Sequence, residues 1–527
     1  MATHTMATVH HFLDYWAREQ PDAEFAVQGN QRLTYGEAAS AVNRLAQGII
    51  HSGIEAGERM GFLAWNRPEC VLLYFAASKA GVVMVPLDPR QTPNQWAYAL
   101  NDSQVKLLFC AGEFVPAINE LREELGAVER FVSLDDADPG DGWDDWRRWL
   151  EQESPTPIEQ PVPGTAALVQ IYTSGTTGIP KGVPLSHSGL MVEVTAFDLV
   201  FKGRPGERWL MVTPLFHNSA ILVAFYSVYS GGSLYIMRAF DPQEAVRAFS
   251  EENIAGSIVP PSMLHACLTA VPNVAERRYD SLRVILYGGE AIAEGTFRQA
   301  IDVFKCDFVQ TYAATEAGLM TLLGPQDHRR AVTDKPVLLT SAGRPTPWTE
   351  LRIVDEEGQP VPTGTIGEIV VRGPQVMMGY WNRPEETASA LRDGWFYTGD
   401  AGLVDVEGYL FIRDRVKDLI VTSGRNVYPV MVENVLNEHP FVEEAAVIGV
   451  PDQETGEAVK AVIILRDGAV ADERELIEFC AGKLGEYQWP TSVDFVDAFP
   501  RNAMRKVLKS VLREPYWAGH DRKVGGA

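Results

Sequence analysis

The chain has 527 residues, enough for several structural units, and an ordinary globular composition of 46% hydrophobic and 22% charged residues with a mean hydropathy of −0.09. A formal net charge of −24 excludes a broadly basic face and therefore a nucleic-acid partner, although a local phosphate site stays compatible with it. Residues 1–8 lack a basic segment followed by an apolar one, and no apolar run is long enough to cross a bilayer, so we expect neither a signal peptide nor a transmembrane anchor.

Strands and helices alternate in the first part of the chain. Residues 60–65, 82–87 and 105–110 are apolar and predict strands, while Thr34 and Glu37 form a capping-box pattern that predicts the start of a helix. This alternation predicts a largely parallel sheet covered by helices. The same pattern resumes with a predicted strand at 167–172 and continues to about residue 335.

Three further regions differ from this pattern. Residues 135–164 are acidic and rich in Pro and Gly, which predicts a surface connection. Short strands separated by turns predict a β-rich subdomain at 338–413. The predicted fold class is thus α/β: a large N-terminal domain of helix-covered sheets at 1–415, including that subdomain, followed by a small α+β C-terminal domain at 416–527.

The cysteines predict the redox environment. They are five in number, far apart, and lack the Cys-x-x-Cys or Cys/His spacing of zinc sites. This favours free, buried thiols in a reducing compartment, and we therefore expect a cytoplasmic protein.

A candidate phosphate loop follows the strand predicted at 167–172. Residues 172–182 read Tyr-Thr-Ser-Gly-Thr-Thr-Gly-Ile-Pro-Lys-Gly and supply hydroxyls, glycines and a lysine, all suited to close approach of an anion. It is not a Walker A loop, because Gly182 follows Lys181 where that motif has Ser or Thr. By composition alone the segment also fits a mobile surface turn.

The segment resembles the signature loop of the superfamily of acyl-CoA synthetases, peptide-synthetase adenylation domains and luciferases. Further motifs of that superfamily follow in order: Tyr-Gly-Gly-Glu at 287–290, Gln-Thr-Tyr-Ala-Ala-Thr-Glu at 310–316, Tyr-Thr-Gly-Asp at 397–400, Arg-Asp-Arg-Val-Lys-Asp at 413–418 and Pro-Arg-Asn-Ala-Met-Arg-Lys at 500–506. The resemblance covers almost the whole chain. It implies an AMP-forming acyl-CoA synthetase that uses ATP, Mg²⁺ and coenzyme A.

The resemblance also implies which residues bind the nucleotide. They are Thr173, Ser174, Gly175, Thr176, Thr177, Lys181, Gly289, Glu290, Thr311, Tyr312, Asp400 and Arg415. The Asp400 carboxylate has two oxygens for the two ribose hydroxyls. Thr315 and Glu316 follow a predicted strand at 307–311, where α/β sheets bind ligands, and Glu316 corresponds to the glutamate that holds Mg²⁺.

Two lysines correspond to the moving parts of the family's reaction. Lys506 matches the lysine that bridges the substrate carboxylate and the α-phosphate, two anions that repel without a cation between them. Arg505 stands where the family usually has Gly. Lys417 matches the hinge about which the C-terminal domain rotates, which makes that domain mobile.

The acyl substrate is expected to lie against a second group of residues: His217, Asn218, Ile221, Gly288 and Ala313. Amino-acid-activating relatives carry Asp at the position of His217, where its charge pairs with the substrate ammonium. The ammonium group of an amino acid would have no charge partner at His217, so a hydrophobic or aromatic carboxylic acid is favoured as the substrate.

The thiol is expected to enter past Ser423, Gly424 and Arg425. Coenzyme A-forming relatives often carry Glu at the position of Arg425. The arginine could contact a phosphate of coenzyme A or an acidic acyl group, or it could be exposed to solvent.

The sequence therefore predicts ATP-dependent activation of a carboxylic acid as acyl-AMP, followed by transfer to coenzyme A. An acyl-AMP ligase serving a carrier protein or an amine is an alternative. A non-catalytic nucleotide sensor is a second one, against which the joint presence of Glu316, Asp400 and Lys506 argues. A homodimer is compatible with the sequence.

Overall fold

A computed structural model describes residues 8–135, 140–158, 160–174, 179–290, 292–415, 418–423, 425–452, 454–481, 483–501 and 507–518. The chain divides into two compact units. The first comprises the chain up to Leu351 together with Val371–Phe396, and the second comprises Arg352–Val370 and the chain from Tyr397 onwards.

The first unit contains helices and strands in alternation. Its helices are α1 His10–Glu19, α2 Tyr35–His51, α3 Pro68–Ala80, α4 Pro93–Ser103, α5 Val115–Leu121, α6 Trp146–Gln152, α7 His187–Phe201, α8 Asn218–Tyr229, α9 Pro242–Glu251, α10 Pro261–Thr269, α11 Glu294–Phe304, α12 Pro325–Thr333 and α13 Pro384–Ala390. Its strands begin with β1 Glu24–Gln28, β2 Gln31–Thr34, β3 Arg59–Leu63, β4 Val83–Leu87, β5 Val105–Cys110, β6 Arg130–Ser133, β7 Asp144–Asp145, β8 Ala167–Ser174 and β9 Pro180–Ser186. They continue with β10 Arg208–Met211, β11 Ser233–Ile236, β12 Ile254–Ile258, β13 Val284–Gly288, β14 Asp307–Ala314, β15 Gly318–Leu323 and β16 Arg344–Pro345.

Two mainly parallel sheets form this unit. Within the described ranges, one sheet has the strand order β7-β6-β5-β3-β4-β8-β9 and the other has the order β16-β15-β14-β13-β12-β10-β11-β1-β2. Helices α3 and α7 contact strands of both sheets and therefore lie between them. Because water reaches neither side of α3, it is apolar almost all round, and residues 70–80 are all buried. The predicted α/β class with helix-covered sheets is confirmed.

The predicted start of α2 is correct in its atomic detail. The Thr34 hydroxyl accepts a hydrogen bond from the Glu37 amide at 3.2 Å, and the Glu37 carboxylate accepts one from the Thr34 amide at 2.9 Å. Each side chain thus satisfies a backbone donor that the helix leaves open.

The prediction of a surface connection at 135–164 is wrong for its central part. Asp144–Asp145 extends the first sheet beside β6, and α6 follows directly. Trp146 and Trp149 are buried against the Phe109 ring, with ring centroids 5.9 and 5.4 Å away. The acidic and Pro-rich composition predicts exposure, but the segment also contains two tryptophans. Burying their large apolar area stabilises α6 against the sheet despite the acidic residues around them.

The N-terminal strands complete the second sheet. β1 pairs in parallel with β11, Ala26 opposite Leu234, and β2 folds back antiparallel to β1. The Tyr35 hydroxyl, buried at the start of α2, donates to the Gly232 carbonyl at 2.6 Å. A segment from the beginning of the chain is thereby fixed to a sheet built more than two hundred residues later.

The second unit begins in the region where short strands were predicted. The remaining elements of the chain are β17 Glu350–Val354, β18 Gly367–Arg372, β19 Leu391–Arg392, β20 Trp395–Val404, β21 Leu410–Arg415, β22 Ile420–Thr422, β23 Arg425–Val427, α14 Pro429–Asn437, β24 Val442–Asp452, β25 Gly456–Leu465, α15 Glu473–Cys480, β26 Ser492–Phe495 and α16 Lys509–Trp517. Of these, β19 and one end each of β17, β18 and β20 belong to the first unit, and the rest belong to the second. α15 ends at Cys480, because Ala481 turns to an extended conformation.

The C-terminal part of this unit is a mixed sheet with its own core. β24 and β25 pair antiparallel along their length, β22 and β23 lie on one side, and β26 adds in parallel to β25. α14 and α15 cover one face, with Val432, Leu436 and Leu476 fully buried. This is the α+β architecture expected after residue 416.

No helix in the described part of the chain combines the length and the apolar character needed to cross a bilayer.

Candidate active site

The predicted phosphate loop connects two strands of the first unit. β8 and β9 pair antiparallel, with Thr173 opposite Lys181, so the lysine lies on a strand rather than in a loop. β8 extends to Ser174, two residues beyond the predicted end, because it continues to pair with β9. Gly175, Thr176 and Thr177, as well as the side chain of Ser174, lie outside the described residues.

Four side chains converge near the base of this loop. The Glu316 Oε1 atom accepts hydrogen bonds from the Tyr380 hydroxyl at 3.2 Å and from the Thr173 hydroxyl at 3.4 Å. The Lys181 ammonium, on a 9% exposed residue, lies 5.0 Å from the centroid of the Tyr380 ring. The group combines hydroxyl donors, one cation and one carboxylate, which are the groups that bind a polyphosphate with its counter-ion.

A partly buried polar network holds the two chain segments that carry Thr173 and Tyr380. The Asp102 carboxylate accepts a hydrogen bond from the Tyr172 hydroxyl at 2.7 Å and forms an ion pair with Arg383 at 2.9 Å. The Trp381 indole donates to the Asp102 carbonyl at 2.9 Å. Because Tyr172 precedes Thr173 and Trp381 follows Tyr380, Asp102 fixes both segments that reach Glu316.

The ends of β13 and β14 form the next part of the site. Gly288 lies opposite Thr311 in a parallel pair, and a Cβ atom added to Gly288 would lie 2.4 Å from the Thr311 carbonyl oxygen. Only glycine permits this close approach. The Thr311 hydroxyl is buried and has no hydrogen-bond partner among the described residues, and the Tyr312 residue is half-buried.

The other motif residues here lie at the same sheet edge. Ala313 is exposed, and Thr315 and Glu316 directly follow the C-terminal end of β14, as predicted. Gly289 is exposed with a φ of +84°, beyond the end of β13. Glu290 accepts a hydrogen bond from the Ser262 amide at 2.6 Å, so its carboxylate is engaged at the start of α10.

Three of the five residues predicted for the acyl pocket lie at the start of α8, namely His217, Asn218 and Ile221, whereas Gly288 and Ala313 lie on β13 and β14. His217 is the residue before the helix, and its ring lies 4.5 Å from the Phe216 ring. Burial, with a smaller effect from Arg90, lowers the pKa of His217 to about 4, so its imidazole is neutral at neutral pH. Ile221 is fully buried one turn further on. A neutral His217 fits the predicted lining role and cannot form an ion pair with an anionic substrate.

Asn218 connects this region to a carboxyl group that the sequence analysis did not single out. Its side-chain amide lies 3.2 Å from Glu193 Oε2, and Glu193, on α7, is only 2% exposed. A Cβ atom on Gly318, which has a φ of +58°, would lie 2.7 Å from the Glu193 Cδ atom. Gly318 therefore provides the space that lets Glu193 reach the start of β15.

The second unit brings two predicted nucleotide-binding residues together. β20 and β21 pair antiparallel with Asp400 opposite Arg415. Asp400 is 8% exposed, and its amide donates to the Thr398 hydroxyl at 3.0 Å. The backbone of β20 thus fixes the position of the carboxylate expected to bind the ribose.

The predicted thiol entrance lies at the β22–β23 turn. Ser423 has a φ of +51°, and its amide donates to the Thr455 carbonyl at 2.8 Å. Arg425 is exposed, with its guanidinium 5.2 Å from the centroid of the Tyr487 ring. An exposed, stacked arginine is consistent with two of the three alternatives raised from the sequence, a phosphate contact or simple exposure.

Gly424, Lys417 and Lys506 lie outside the described residues, as does the side chain of Arg415. The chain on both sides of Lys506 is nevertheless fixed. Arg501 and Val507 form an antiparallel bridge, and Lys509 pairs with Glu433 at 2.7 Å.

Sequence reasoning missed Tyr380, Asp102, Arg383 and Glu193. Tyr380 follows Gly379, whose φ of +115° marks a tight turn, and a glycine–aromatic pair in a loop was the one local signal. The others carry no such signal, because their partners are distant in the sequence.

The sequence comparisons now give the family. The model of the AMP-binding enzymes matches residues 13–381, and the model of the AMP-binding enzyme C-terminal domain matches residues 431–506. The chain belongs to the AMP-binding enzyme family. It is an AMP-forming ligase of the acyl-CoA synthetase branch, and the matched ranges contain Thr173, Glu316 and Lys506.

Similar proteins differ in the acceptors that their names state. The AMP-binding enzyme described here is 36% identical to a feruloyl-CoA synthase from Amycolatopsis, over 95% of this chain and 97% of the relative. It is 34% identical to the fatty acid–[acyl-carrier-protein] ligase ScoC from Streptomyces coeruleorubidus, over 97% and 96%. The ATP-bound crystal structure of MatB from Rhodopseudomonas palustris superposes with a TM-score of 0.86 at 28% identity, over 98% of this chain and 100% of MatB.

Proposed function

We propose that the enzyme adenylates a carboxylic acid with ATP and transfers the acyl group to the thiol of coenzyme A. The observation that carries the adenylation step is the convergence of Thr173, Lys181 and Tyr380 around Glu316, at the carboxyl end of β14. In the first half-reaction a carboxylate oxygen attacks the α-phosphorus, the bond to the β-phosphate oxygen breaks, and pyrophosphate leaves.

The residues around Glu316 fit a magnesium ion. Oxygen ligands suit Mg²⁺, and the ion commonly takes one or two protein carboxylates together with substrate phosphates. When bound, Mg²⁺ would supply charge neutralisation on the phosphate oxygens. Glu316 and Thr173 would hold it and orient the polyphosphate.

We assign nucleotide binding and roles in the two half-reactions to the remaining motif residues. Asp400 and Arg415 bind the nucleotide, and Lys506 bridges the attacking carboxylate and the α-phosphate. The domain boundary that the sequence predicts at 415/416 would permit rotation about Lys417, and this rotation would withdraw Lys506 and present the turn at Gly424. The coenzyme A sulfur then attacks the acyl carbon, the bond to the AMP oxygen breaks, and AMP leaves.

Half-reaction assays test this division of labour. Lys506→Ala should abolish acid-dependent pyrophosphate exchange and still convert pre-formed acyl-AMP to the thioester. Lys417→Pro should retain pyrophosphate exchange and slow thioester release. Equal loss of both half-reactions in Lys506→Ala would contradict the assignment, and so would an unimpaired thioester step in Lys417→Pro.

Coenzyme A is proposed as acceptor because of the similarity to a feruloyl-CoA synthase. The similarity to a fatty acid–[acyl-carrier-protein] ligase favours a carrier protein as the second candidate. Supplying coenzyme A, a phosphopantetheine-loaded carrier protein or a primary amine in parallel, with mass analysis of the product, distinguishes the acceptors. Absence of any acid-dependent pyrophosphate exchange would favour a nucleotide sensor.

We also propose a cytoplasmic location. Each of the five cysteines is free, and all but Cys306 are buried. Free thiols are typical of reducing compartments.

A further inference from the structure

The buried carboxyl group of Glu193 has an unusual position. Glu193 is a residue of α7, and its carboxyl group lies against the start of α8 and the start of β15. The turn that follows Glu316 is close to it. A glutamate that is 2% exposed is uncommon unless its carboxyl group is held by specific partners. Here the partners are the Asn218 side-chain amide, at 3.2 Å and 3.4 Å from the two carboxyl oxygens, and the backbone of Leu319.

Glu193 determines the orientation of Asn218. The Asn218 nitrogen faces the carboxyl group, so its other polar atom, the carbonyl oxygen Oδ1, must face away from it. Burial raises the pKa of Glu193 to about 8, against smaller opposing effects of Asn218 and Leu319. Above this pH the ionised carboxylate has only acceptor oxygens, which fixes the Asn218 nitrogen towards it; below it the protonated group also carries one donor, and its carbonyl oxygen accepts from the Asn218 amide in the arrangement found here.

The face turned away from Glu193 carries unsatisfied hydrogen-bonding atoms. Within the part of the chain that the structure describes, the Asn218 Oδ1 atom and the His217 Nε2 atom are both buried and have no hydrogen-bond partner. These two residues are adjacent at the start of α8. Leaving such atoms unpaired costs free energy. An aliphatic chain placed against them would keep them unpaired in the complex, whereas a group with a hydrogen-bond donor would satisfy them.

We propose that Asn218, oriented by Glu193, reads a hydrogen-bond donor on the acyl substrate, so that the preferred acid carries a hydroxyl or amino group distant from its carboxylate. This rests on the proposed adenylation of a carboxylic acid and narrows its substrate class. The Nε2 atom of His217 provides a second hydrogen-bonding atom beside the Asn218 Oδ1 atom. Asn218 contacts the substrate, whereas Glu193 is a positioning residue that acts through Asn218.

Matched pairs of acids test the proposal. We would measure acid-dependent pyrophosphate release with cinnamate, 4-hydroxycinnamate, 3-hydroxycinnamate and 4-aminocinnamate, and with octanoate and 8-hydroxyoctanoate. The ratio of kcat/KM between a donor-bearing acid and its parent should reach about 10- to 100-fold for the best position, since a site built to bind a donor rejects an analogue that lacks it. Comparing 4-hydroxycinnamate with 4-aminocinnamate shows whether a hydroxyl or an amino group is the preferred donor.

Variants separate this role from a structural one. Asn218→Leu and Glu193→Leu should both lower the ratio to about 1–3, mainly through a higher KM for the donor-bearing acid. A ratio between two acids does not depend on the fraction of folded enzyme, so a destabilised variant remains informative. Ser227→Ala, on the same helix with its hydroxyl directed at the Ala224 carbonyl, is the matched control and should keep the wild-type ratio.

The outcomes are distinguishable. Equal kcat/KM for all pairs in the wild-type enzyme, or an unchanged ratio in both leucine variants, would overturn this inference and leave the adenylation proposal intact. Absence of pyrophosphate release with every acid would overturn both.

Discussion

Tyr380 donates a hydrogen bond from its hydroxyl group to Oε1 of Glu316 at 3.2 Å, across 64 residues of sequence. The same Tyr380 ring lies against the Lys181 ammonium, at 5.0 Å from its centroid. One aromatic side chain therefore contacts both charged groups that are expected to handle the phosphates. Its substitution separates the role of the hydroxyl from that of the ring.

Tyr380→Phe should raise the KM for ATP about 10- to 100-fold, because a hydrogen bond to a charged group contributes about 1.5–3 kcal/mol. Tyr380→Ala should have a larger effect, since it also removes the ring beside Lys181. Steady-state pyrophosphate release at varied ATP concentration measures both. Tyr15→Phe, at a tyrosine that is 47% exposed, is the control. An unchanged KM in both Tyr380 variants would remove this residue from the phosphate site.

The Asp102 network should couple stability to ATP binding. Asp102→Leu leaves the Arg383 guanidinium and the Tyr172 hydroxyl without their shared acceptor, and we expect about 1–3 kcal/mol of lost stability together with a raised KM for ATP. Urea unfolding followed by tryptophan fluorescence and an ATP titration check the two effects. Glu350→Gln, which breaks the exposed pair with Arg372, should change stability by less than about 1 kcal/mol. Similar losses in the two variants would argue against a special role of Asp102.

Two glycine substitutions should have opposite signs. Gly288→Ala places a methyl group 2.4 Å from the Thr311 carbonyl oxygen and should destabilise the protein by about 1–3 kcal/mol. Gly295→Ala, on α11 with no atom within 4 Å of the added methyl group, should stabilise it by up to about 1 kcal/mol. Thermal unfolding under identical conditions measures both. A stable Gly288→Ala variant would mean that β13 and β14 separate more easily than their pairing suggests.

Buried histidines should make the protein sensitive to acid. Burial lowers the pKa of His187 and of His328 to about 4, from an ordinary value of 6.5. Between these values the unfolded chain binds a proton that the folded chain does not, so stability is full above pH 6.5 and falls as the pH drops towards 4. Each such histidine contributes a slope of up to about 1.4 kcal/mol per pH unit.

His187→Leu tests this slope, because His187 is fully buried and the described residues offer neither ring nitrogen a partner. The variant should lose less stability than the wild type between pH 6.5 and 4.5, as followed by urea midpoints. Parallel pH profiles would show that His187 titrates normally in the folded protein.

The sequence predicted what depends on neighbouring residues. The capping box of Thr34 and Glu37, the strand at 105–110 and the strand-end position of Glu316 follow from spacing and hydrophobic periodicity, and all three are found. The motif order gave the family, which the comparisons confirm. The assignments of Asp400, Lys417 and Lys506 stay predictions for the assays above.

What the sequence did not predict depends on distant contacts. Asp102 meets Arg383 across 281 residues, and Glu193 meets Asn218 between two helices. A lone carboxylate on a helix is usually solvated, so only the packing of α7 between the sheets identifies Glu193 as buried. Trp146 and Trp149 were hidden for a related reason, because their acidic surroundings indicated a surface loop.

The pairing of β1 with β11 constrains the order of folding during synthesis. β1 leaves the ribosome first, but Ala26 and Val27 pair with Leu234 and Tyr235. At usual translation rates the roughly 200 intervening residues take roughly 10–40 s to appear. During that time β1 can pair only with its hairpin neighbour β2, and its other edge has no β11 to join, which makes this edge a natural binding site for a holdase chaperone.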